Sequence, residues 1–390
     1  KEEGFRYLNE PKVFRGAINR PLPNQIKKYK QKVNQVKRLF LIVITITAVF
    51  AKTRGQESIN SLFEDKQFIR SEKGSDSVFF TSKTVDFLQI NSSITDSVKF
   101  AIVVYKPEKP SPILLISHGW HQSVKPPKED SENPNESFLT VQVDMRGRKY
   151  STGKPDCNGY ELYDFYDAYK YVVRNYKPFI SDTNQVYYYG SSGGGGNGYA
   201  ILGKFPDLFC SAVVSCGISD YAAWFNGDSI GEFRDEMIPW IGCTPEQNPE
   251  AYQSRSGITT VSNLLTPVTI THGETDVRVP VTHARNFYNQ AVALDKDVRY
   301  LEFKNVGTRM HWGNMTAAQE KEKQDFQQTG LEKKGPPVLP NEGVFVVAGY
   351  LVTKNFSVFL DSIDSVGKIK YNIKKKEIEF INGHGTIIWH

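Results

Sequence analysis

The sequence has few cysteines and little excess charge, and each shortage excludes a class of protein. Four cysteines in 390 residues are too few for a disulfide-stabilised scaffold, and no C-x-x-C pair suggests a zinc ribbon or a thioredoxin-like site. The net charge is only +5, without the basic stripe that binds nucleic acid. We therefore expect no metal, no cofactor and no nucleic-acid partner.

The sequence also lacks a long apolar run, and its most prominent apolar run has only 13 residues. Residues 39–51 are almost wholly apolar, follow Lys37 and Arg38, and end in small residues near Ala51. The run is short for a membrane span and is typical of a secretory signal peptide. We predict a secreted or periplasmic protein. An uncleaved signal segment, and hence attachment to a membrane, is the alternative.

The stretch in front of this run is unusual for a signal peptide. The chain opens with Lys, and 36 residues precede Lys37, whereas signal peptides begin near their basic region. Our hypothesis is that translation starts at Val33, through an alternative start codon, and that residues 1–32 are an artefact of gene calling. Residues 1–52, as N-terminal extension plus signal peptide, are set aside from the fold prediction.

From about Ser75 the chain alternates between strand and helix patterns, which favours a doubly wound, mostly parallel sheet covered on both faces. Period-2 and period-3.6 apolar spacing predict the elements. The predicted strands are 78–81, 84–90, 98–105, 113–117, 138–143, 186–189, 209–215, 268–271 and 298–303, and the predicted helices include 161–176, 282–294 and 316–328. We predict one α/β domain over residues 75–330.

Two segments fall outside this alternation. Residues 218–264 contain three prolines and no clear periodicity, which indicates an irregular, cap-like excursion. After a charged and proline-rich linker at 331–340, short strands at 344–352, 356–360, 368–373 and 377–381 form a small β-rich segment over residues 341–390. Packing against the sheet edge is its simplest role, and contact with a carbohydrate or another surface is the alternative.

The central motif is VYYYGSSGGGGNG, residues 186–198. Its start is β-branched and aromatic, as in a buried strand, and the next five residues fit G-x-S-x-G with Ser192 at the centre. A strand, a tight glycine turn and a helix are the context of a nucleophile elbow. Gly190 and Gly194 remove side chains that would collide there. A phosphate-binding loop is the alternative, but no Lys-Ser/Thr pair follows the glycines.

A serine nucleophile needs a base, and the base needs an orienting acid. In this fold class the order along the chain is Ser, then Asp or Glu, then His. Asp276 follows strand 268–271 and His311 follows strand 298–303, so both lie at the same edge of the sheet as Ser192. We predict Ser192 as nucleophile, Asp276 as orienting acid and His311 as base.

Three other residues compete for these roles. His118 and His272 are rival bases, although both lie tight against strand ends, where side chains face the interior, and Glu274 is the rival acid. The developing oxyanion also needs donors. The backbone N–H of Gly193 and one from the turn after strand 113–117, at Trp120, are the predicted oxyanion hole.

Other motifs accompany the elbow. They are Asp144-Met145-Arg146-Gly147 with Ser151, Gly153, Gly159 and Asp164, then Pro267-Val268 through His272-Gly273-Glu274-Thr275-Asp276 to Val279-Pro280, and His311 after the last strand. Over roughly 75–328 the set resembles the catalytic domain of the prolyl oligopeptidase family of serine peptidases. The resemblance implies an α/β-hydrolase fold and the same roles for Ser192, Asp276 and His311.

Two features depart from that family. Only about twenty residues separate Ala51 from the first predicted strand, which predicts that the N-terminal β-propeller usual in the family is missing. The turn after strand 113–117 reads His118-Gly119-Trp120-His121 rather than His-Gly-Gly. Related folds without a propeller are often esterases, including acetylxylan esterases, so the substrate class stays open between peptides and esters.

Loops at the predicted catalytic edge are rich in tryptophan. Trp120, Trp224, Trp240 and Trp312 all lie there, which indicates an aromatic-walled substrate pocket for a sugar ring, an aryl acid or an apolar acyl group. The alternative is that these side chains pack residues 218–264 onto the body. Two cysteines on the same side, Cys157 and Cys243, can pair in an exported protein.

The sequence thus predicts an exported serine hydrolase that acts through an acyl-enzyme and resembles a peptidase. Peptides or esters, including acylated carbohydrates, are the expected substrates. A carboxylic or carbohydrate esterase on the same fold is the first alternative. A transferase that passes the acyl group to an alcohol and a non-catalytic binding module with the same fold are the others.

Overall fold

The computed structural model describes residues 78–228, 231–307, 310–332 and 335–390. Within these residues, nine strands form one sheet in the order β1-β2-β3-β5-β4-β6-β7-β8-β9. The opening strands are antiparallel to their neighbours, and β4 to β9 run parallel. The strands are β1 (Phe80–Thr81), β2 (Val85–Asn91), β3 (Lys99–Tyr105), β4 (Ile113–Ser117), β5 (Leu139–Asp144), β6 (Val186–Ser191), β7 (Ser211–Ser215), β8 (Val268–Gly273) and β9 (Val298–Phe303).

Alternate side chains of the central strands pack on opposite faces of this sheet. Ile113 and Leu115 of β4 belong to the main hydrophobic core, whereas Leu114 belongs to a second cluster with Tyr187 and Val213. Both faces are therefore buried, as in a doubly wound α/β fold. The α-helices are α1 (Glu161–Asn175), α2 (Gly193–Lys204), α3 (Tyr221–Gly227), α4 (Arg234–Ile241), α5 (Pro249–Gln253), α6 (Thr282–Ala293) and α7 (Ala317–Gly330).

The cap-like excursion at 218–264 is more regular than the sequence predicts. It contains α3, α4 and α5, of 7, 8 and 5 residues, and a 3₁₀ segment at Gly257–Asn263. Helices this short show too few turns for apolar periodicity to be recognised. Two of the three helices, α3 and α5, begin with a capping side chain, since Asp220 accepts a hydrogen bond from the N–H of Ala223 and Asn248 accepts one from the N–H of Ala251.

The C-terminal segment forms a separate antiparallel sheet, with strand order β14-β13-β10-β11-β12-β15 in the described residues. It packs on α2 and the 3₁₀ segment rather than on the edge of the large sheet: Tyr350 and Val352 join the main core, and Asn263 exchanges hydrogen bonds with the backbone of Val346. Its strands are β10 (Glu342–Ala348), β11 (Tyr350–Val352), β12 (Phe356–Leu360), β13 (Val366–Asn372), β14 (Glu377–Asn382) and β15 (Gly385–Trp389).

Export predicts a signal peptide and allows a disulfide, and the described residues bear only on the disulfide. The predicted N-terminal extension and signal peptide at 1–52 lie outside the described residues, and within the described ranges no helix has the length and apolarity needed to cross a membrane. The Cys157–Cys243 disulfide is not formed, because all four cysteines are free thiols. Cys157 is buried near the charges of Glu161 and Arg255, whereas Cys243 lies half-buried after α4.

Candidate active site

Ser192 occupies the turn between β6 and α2 with φ 57° and ψ −122°, a conformation that costs an L-residue energy and is found at functional turns. The turn is too tight for other side chains. A Cβ at Gly190 would lie 2.2 Å from the carbonyl oxygen of Gly194, and one at Gly194 would lie 2.7 Å from that of Ser117. The Ser192 N–H donates to the carbonyl of Ser215 at 2.9 Å, which fixes the turn against β7.

The structure brings the three predicted side chains together. The Nε2 atom of His311 lies 2.8 Å from the Oγ of Ser192, and its Nδ1 lies 2.6 Å from Oδ2 of Asp276. A carboxylate at Nδ1 favours the tautomer with the proton on Nδ1, which leaves the Nε2 lone pair facing the hydroxyl. This geometry can remove a proton from Ser192 when the oxygen attacks a carbonyl.

The Asp276 carboxylate is held in place by its own loop. Its Oδ1 accepts hydrogen bonds from the N–H groups of Arg278 and Val279 at 2.9 and 3.1 Å, and its Oδ2 lies 3.4 Å from Nε2 of His272. Burial alone would raise the pKa of Asp276, but hydrogen bonds from His272 and His311 outweigh burial and hold the pKa well below its ordinary value. The carboxylate is therefore ionised at neutral pH.

The three rival residues have partners other than Ser192. His272 is fully buried and its Nε2 lies 2.8 Å from the carbonyl of Val279. His118 contacts the carbonyl of Gly119 through Nδ1 at 2.9 Å, and burial together with the charge of Arg148 lowers its pKa to about 3, so it is neutral at pH 7. Glu274 accepts a hydrogen bond from the N–H of Asn305 at 2.8 Å.

Two backbone donors converge beside Ser192. A Cβ built on Gly193 would lie 2.3 Å from the backbone nitrogen of Trp120, so these two peptide units are in close contact. Among the described residues neither N–H has a hydrogen-bond acceptor. Unpaired donors next to a nucleophile are what an oxyanion hole requires, and this is the placement that the sequence predicts for Gly193 and Trp120.

Only Trp120 of the four predicted pocket tryptophans lines the cavity above Ser192. The cavity has a volume of about 250 Å³. Trp224 is buried and donates its indole N–H to the carbonyl of Arg278 at 2.9 Å. Trp240 stacks on Trp120 with ring centroids 4.6 Å apart, and the ring of Trp312 lies 4.4 Å from the ammonium of Lys323. The pocket assignment is corrected accordingly, because these three rings are used in packing.

Several residues that do line the cavity were not singled out from the sequence. They come from separate loops, so no local pattern connects them, although Arg278 lies two residues after Asp276 and Tyr189 ends the strand before the elbow. The described lining residues are Ser117, His118, Gly119, Trp120, His121, Gln122, Tyr189, Ser191, Ser192, Phe233, Arg278, Met310 and His311.

Within the described residues, one group has the donor atoms and spacing to hold a metal ion. It consists of Cys216, Asp276 and His311, whose ligand atoms lie within 4.8 Å of one another. Two of these side chains already form the hydrogen-bonded relay to Ser192. Burial and the charge of Asp276 raise the pKa of the Cys216 thiol, so the thiol is protonated. We interpret this group as part of the hydrogen-bonded relay and its neighbour Cys216, rather than as a metal site.

A serine on a nucleophile elbow, hydrogen-bonded to a His–Asp pair at one edge of a mostly parallel sheet, defines an α/β-hydrolase. The sequence profile of the prolyl oligopeptidase family matches residues 134–332, which is just over half of the chain. The chain therefore belongs to the prolyl oligopeptidase family, a family of serine peptidases. No curated protein sequence matches it.

Solved structures with the same fold include peptidases. The acylaminoacyl peptidase of Pyrococcus horikoshii aligns with a TM-score of 0.54 and 20% identity over 66% of this chain and 43% of its own. A puromycin-hydrolyzing peptidase of Mycobacterium tuberculosis aligns with a TM-score of 0.52 and 16% identity over 65% of this chain and 41% of its own. At such identities the likeness concerns the fold, and this chain spans about two fifths of their length.

Proposed function

We propose that this chain is a serine hydrolase that cleaves acyl bonds of peptide substrates through an acyl-enzyme. The observation that carries the proposal is the unbroken relay from Asp276 through His311 to the Oγ of Ser192. In the first step the Oγ of Ser192 attacks the substrate carbonyl while Nε2 of His311 takes its proton. The ionised carboxylate of Asp276 stabilises the imidazolium that results.

The remaining steps use the same groups. The carbonyl oxygen becomes an oxyanion, which the N–H groups of Gly193 and Trp120 stabilise. His311 then gives its proton to the leaving amine, and the acyl group stays on Ser192. A water molecule, deprotonated by His311, attacks this ester, and breakdown of the second tetrahedral intermediate returns the proton to Ser192.

A fluorophosphonate probe, which reacts only with an activated serine, tests the enzyme assignment directly. We expect the wild-type protein to be labelled and Ser192→Ala not to be labelled. Ser191→Ala is the matched control, since Ser191 is the neighbouring serine in the same turn and should leave labelling intact. An unlabelled wild type, or equal labelling of wild type and Ser192→Ala, would contradict the proposal.

Peptide substrates are favoured by the family, and the cavity indicates which groups they would carry. The fold neighbours are named as acylaminoacyl and puromycin-hydrolyzing peptidases, and Trp120, Phe233 and Met310 supply apolar lining on a cavity of about 250 Å³. Such a cavity suits one apolar side chain or acyl group. We expect aminoacyl and acyl-aminoacyl amides with a small apolar residue at the cleavage site to be the best substrates.

The substrate class is decided by comparing amides with esters at equal concentration. The panel contains aminoacyl, dipeptidyl and N-acylated aminoacyl amides, p-nitrophenyl esters and acetylated xylo-oligosaccharides. Turnover of amides supports the peptidase assignment. Turnover of esters or acetylated sugars alone would replace it with an esterase on the same fold, and transfer of the acyl group to an added alcohol would indicate a transferase.

We also propose that the protein is exported. The apolar run at 39–51, the preceding Lys37 and Arg38, and the small residues at its end support this proposal. Expression of the full chain in a bacterial host followed by fractionation and N-terminal sequencing provides the test. A mature N-terminus shortly after Ala51 in the exported fraction is expected, and an intact N-terminus in the cytoplasm would contradict export.

A further inference from the structure

The tryptophan of the oxyanion turn is anchored in the cap by its side chain. The indole N–H of Trp120 donates to Oε2 of Glu236 in α4 at 2.8 Å. Its ring stacks on Trp240 at 4.6 Å and contacts Trp224 edge-on at 5.0 Å between centroids. The side chain is only 7% exposed. The residue whose backbone N–H adjoins Gly193 is therefore fixed by contacts with the cap.

Glu236 is in turn held by a buried histidine. Nδ1 of His121 lies 3.2 Å from the same Oε2 of Glu236, and Nε2 of His121 lies 3.2 Å from Oε1 of Glu232. The His121 ring also stacks on Phe233, with centroids 5.5 Å apart. Burial would lower the pKa of His121, but the hydrogen bonds and charges of Glu232 and Glu236 outweigh it and raise the pKa. The imidazole thus pairs with both carboxylates in a water-poor site.

We propose that Glu236 is a positioning residue for the reaction, because it aims the Trp120 backbone N–H at the oxyanion through the Trp120 indole. His121, which is itself paired with Glu232, holds the Glu236 carboxylate in its place. The inference rests on the proposed function, since an oxyanion forms only if Ser192 attacks a carbonyl. It assigns the cap helix α4 a part in stabilising the transition state, in addition to covering the site.

The expected fall in kcat can be estimated from the cost of losing an oxyanion donor. Complete loss of one oxyanion donor costs on the order of 10²–10³ in kcat. Without its Glu236 anchor, the Trp120 turn keeps its aromatic packing and shifts only in part. We therefore expect kcat of Glu236→Leu to fall by about 10- to 100-fold, with KM changed much less, because the lost interaction forms only in the transition state.

The experiment compares Glu236→Leu, Glu236→Gln and Trp120→Phe with wild type. The amide oxygen of Gln can still accept the indole N–H, so Glu236→Gln should restore most of kcat. Trp120→Phe removes the indole N–H and keeps the backbone donor, so it should resemble Glu236→Leu. Affinity for a peptide trifluoromethyl ketone, which forms a tetrahedral adduct with the serine, should fall by the same factor as kcat/KM.

Controls separate positioning from folding. Asp235→Leu changes a 67% exposed carboxylate in the same helix and should leave kcat and ketone affinity unchanged. The double variant Trp120→Phe/Glu236→Leu should be no worse than either single variant, because each substitution removes the same hydrogen bond, the one between Trp120 and Glu236.

Three outcomes would overturn the inference. One is a folded Glu236→Leu protein with a lower Tm but wild-type kcat and ketone affinity. Another is a Glu236→Gln variant as impaired as Glu236→Leu, and the third is additive loss in the double variant. These results leave the proposed function standing if the fluorophosphonate labels wild type. An unlabelled wild type would overturn the function as well.

Discussion

The Nε2 atom of His311 lies 2.8 Å from the Oγ of Ser192, although 119 residues separate them in the chain. The sheet order explains this contact. β6, β7, β8 and β9 are neighbours and parallel, so the loops after β6, β8 and β9 meet at one edge. Ser192, Asp276 and His311 each follow one of these strands. The contact is therefore a direct product of strand order, and it supports a first prediction.

Removing either member of this pair should abolish turnover to the same extent. Ser192→Ala deprives the reaction of its nucleophile and His311→Gln of its base. We expect each to lower kcat by about 10⁶, and the double variant to be no worse, because groups that act as a unit are strongly non-additive. The measurement is kcat on the best amide of the substrate panel. A His311→Gln variant that retains turnover within tenfold of wild type would exclude this histidine as the base.

The charge of Asp276 should matter more than its shape. Asp276→Asn keeps the size of the side chain but no longer favours the Nδ1-protonated tautomer of His311, and a loss in kcat on the order of 10⁴ is expected, as in the template triad. His272→Asn is the comparison, because His272 also approaches Oδ2 of Asp276, at 3.4 Å, but is not among the described residues that line the cavity above Ser192. It should lower kcat less than Asp276→Asn does. Equal losses would show that the carboxylate acts through its packing.

Sequence patterns predict several strands well because the physical signal for them is local. The predicted bounds agree with β4, β9 and β12 at both ends, since each is a short apolar or alternating run between turn residues. β15 was not predicted. Its residues Thr386 to Trp389 are β-branched or aromatic and favour a strand. Its place beside β12, however, depends on pairing between distant segments and cannot be read from Gly385–Trp389 alone.

The site likewise has one part that the sequence predicts and one part that it does not. The positions of Ser192, Asp276 and His311 follow from a motif and a chain order, so they can be proposed without coordinates. The cavity wall cannot, because it depends on the direction of each side chain. Trp240 turns inward to stack on Trp120, while Phe233 and Met310 face the cavity instead. The Glu236 contact with Trp120 spans 116 residues and leaves no trace in either local sequence.

Gly193 should tolerate no side chain, because its Cα faces Trp120, whose N–H is the proposed second oxyanion donor. A Cβ there would lie 2.3 Å from the nitrogen and 2.6 Å from the Cα of Trp120, so the two backbones must separate. We expect Gly193→Ala to lower kcat by about 10²–10³, the cost of losing one donor. Gly227→Ala is the matched control, since nothing lies within 4 Å of a Cβ at that helical position. Wild-type kcat in Gly193→Ala would contradict the assigned oxyanion hole.

Lys204 links the elbow helix to the C-terminal sheet without a carboxylate partner in the described residues. Its ammonium donates to the carbonyls of Ser254, at 3.0 Å, and Ala348, and lies 4.7 Å from the centre of the Tyr350 ring. The side chain is 1% exposed. Burial, with a smaller contribution from the charge of Arg255, lowers the pKa of Lys204 from 10.5 to about 7.

This lowered pKa makes the stability of the fold depend on pH in a definite direction. Below about pH 7 Lys204 is protonated in both the folded and unfolded states, and the folded state bears the cost of a buried charge. Between about 7 and 10.5 the unfolded state binds more protons, so the free energy of unfolding rises with pH, by up to about 1.4 kcal/mol for each pH unit. Above 10.5 the contribution is constant.

Urea denaturation of wild type and Lys204→Met between pH 6 and 10 tests this linkage. The difference in unfolding free energy between the two proteins should shift in favour of wild type as the pH rises. Lys321→Met, at a lysine that is 76% exposed, serves as the control for removal of a lysine as such. Parallel curves for wild type and Lys204→Met would mean that the folded state keeps this lysine charged through its two carbonyl acceptors and the face of Tyr350. The C-terminal sheet would then be bound by an ammonium at every pH tested.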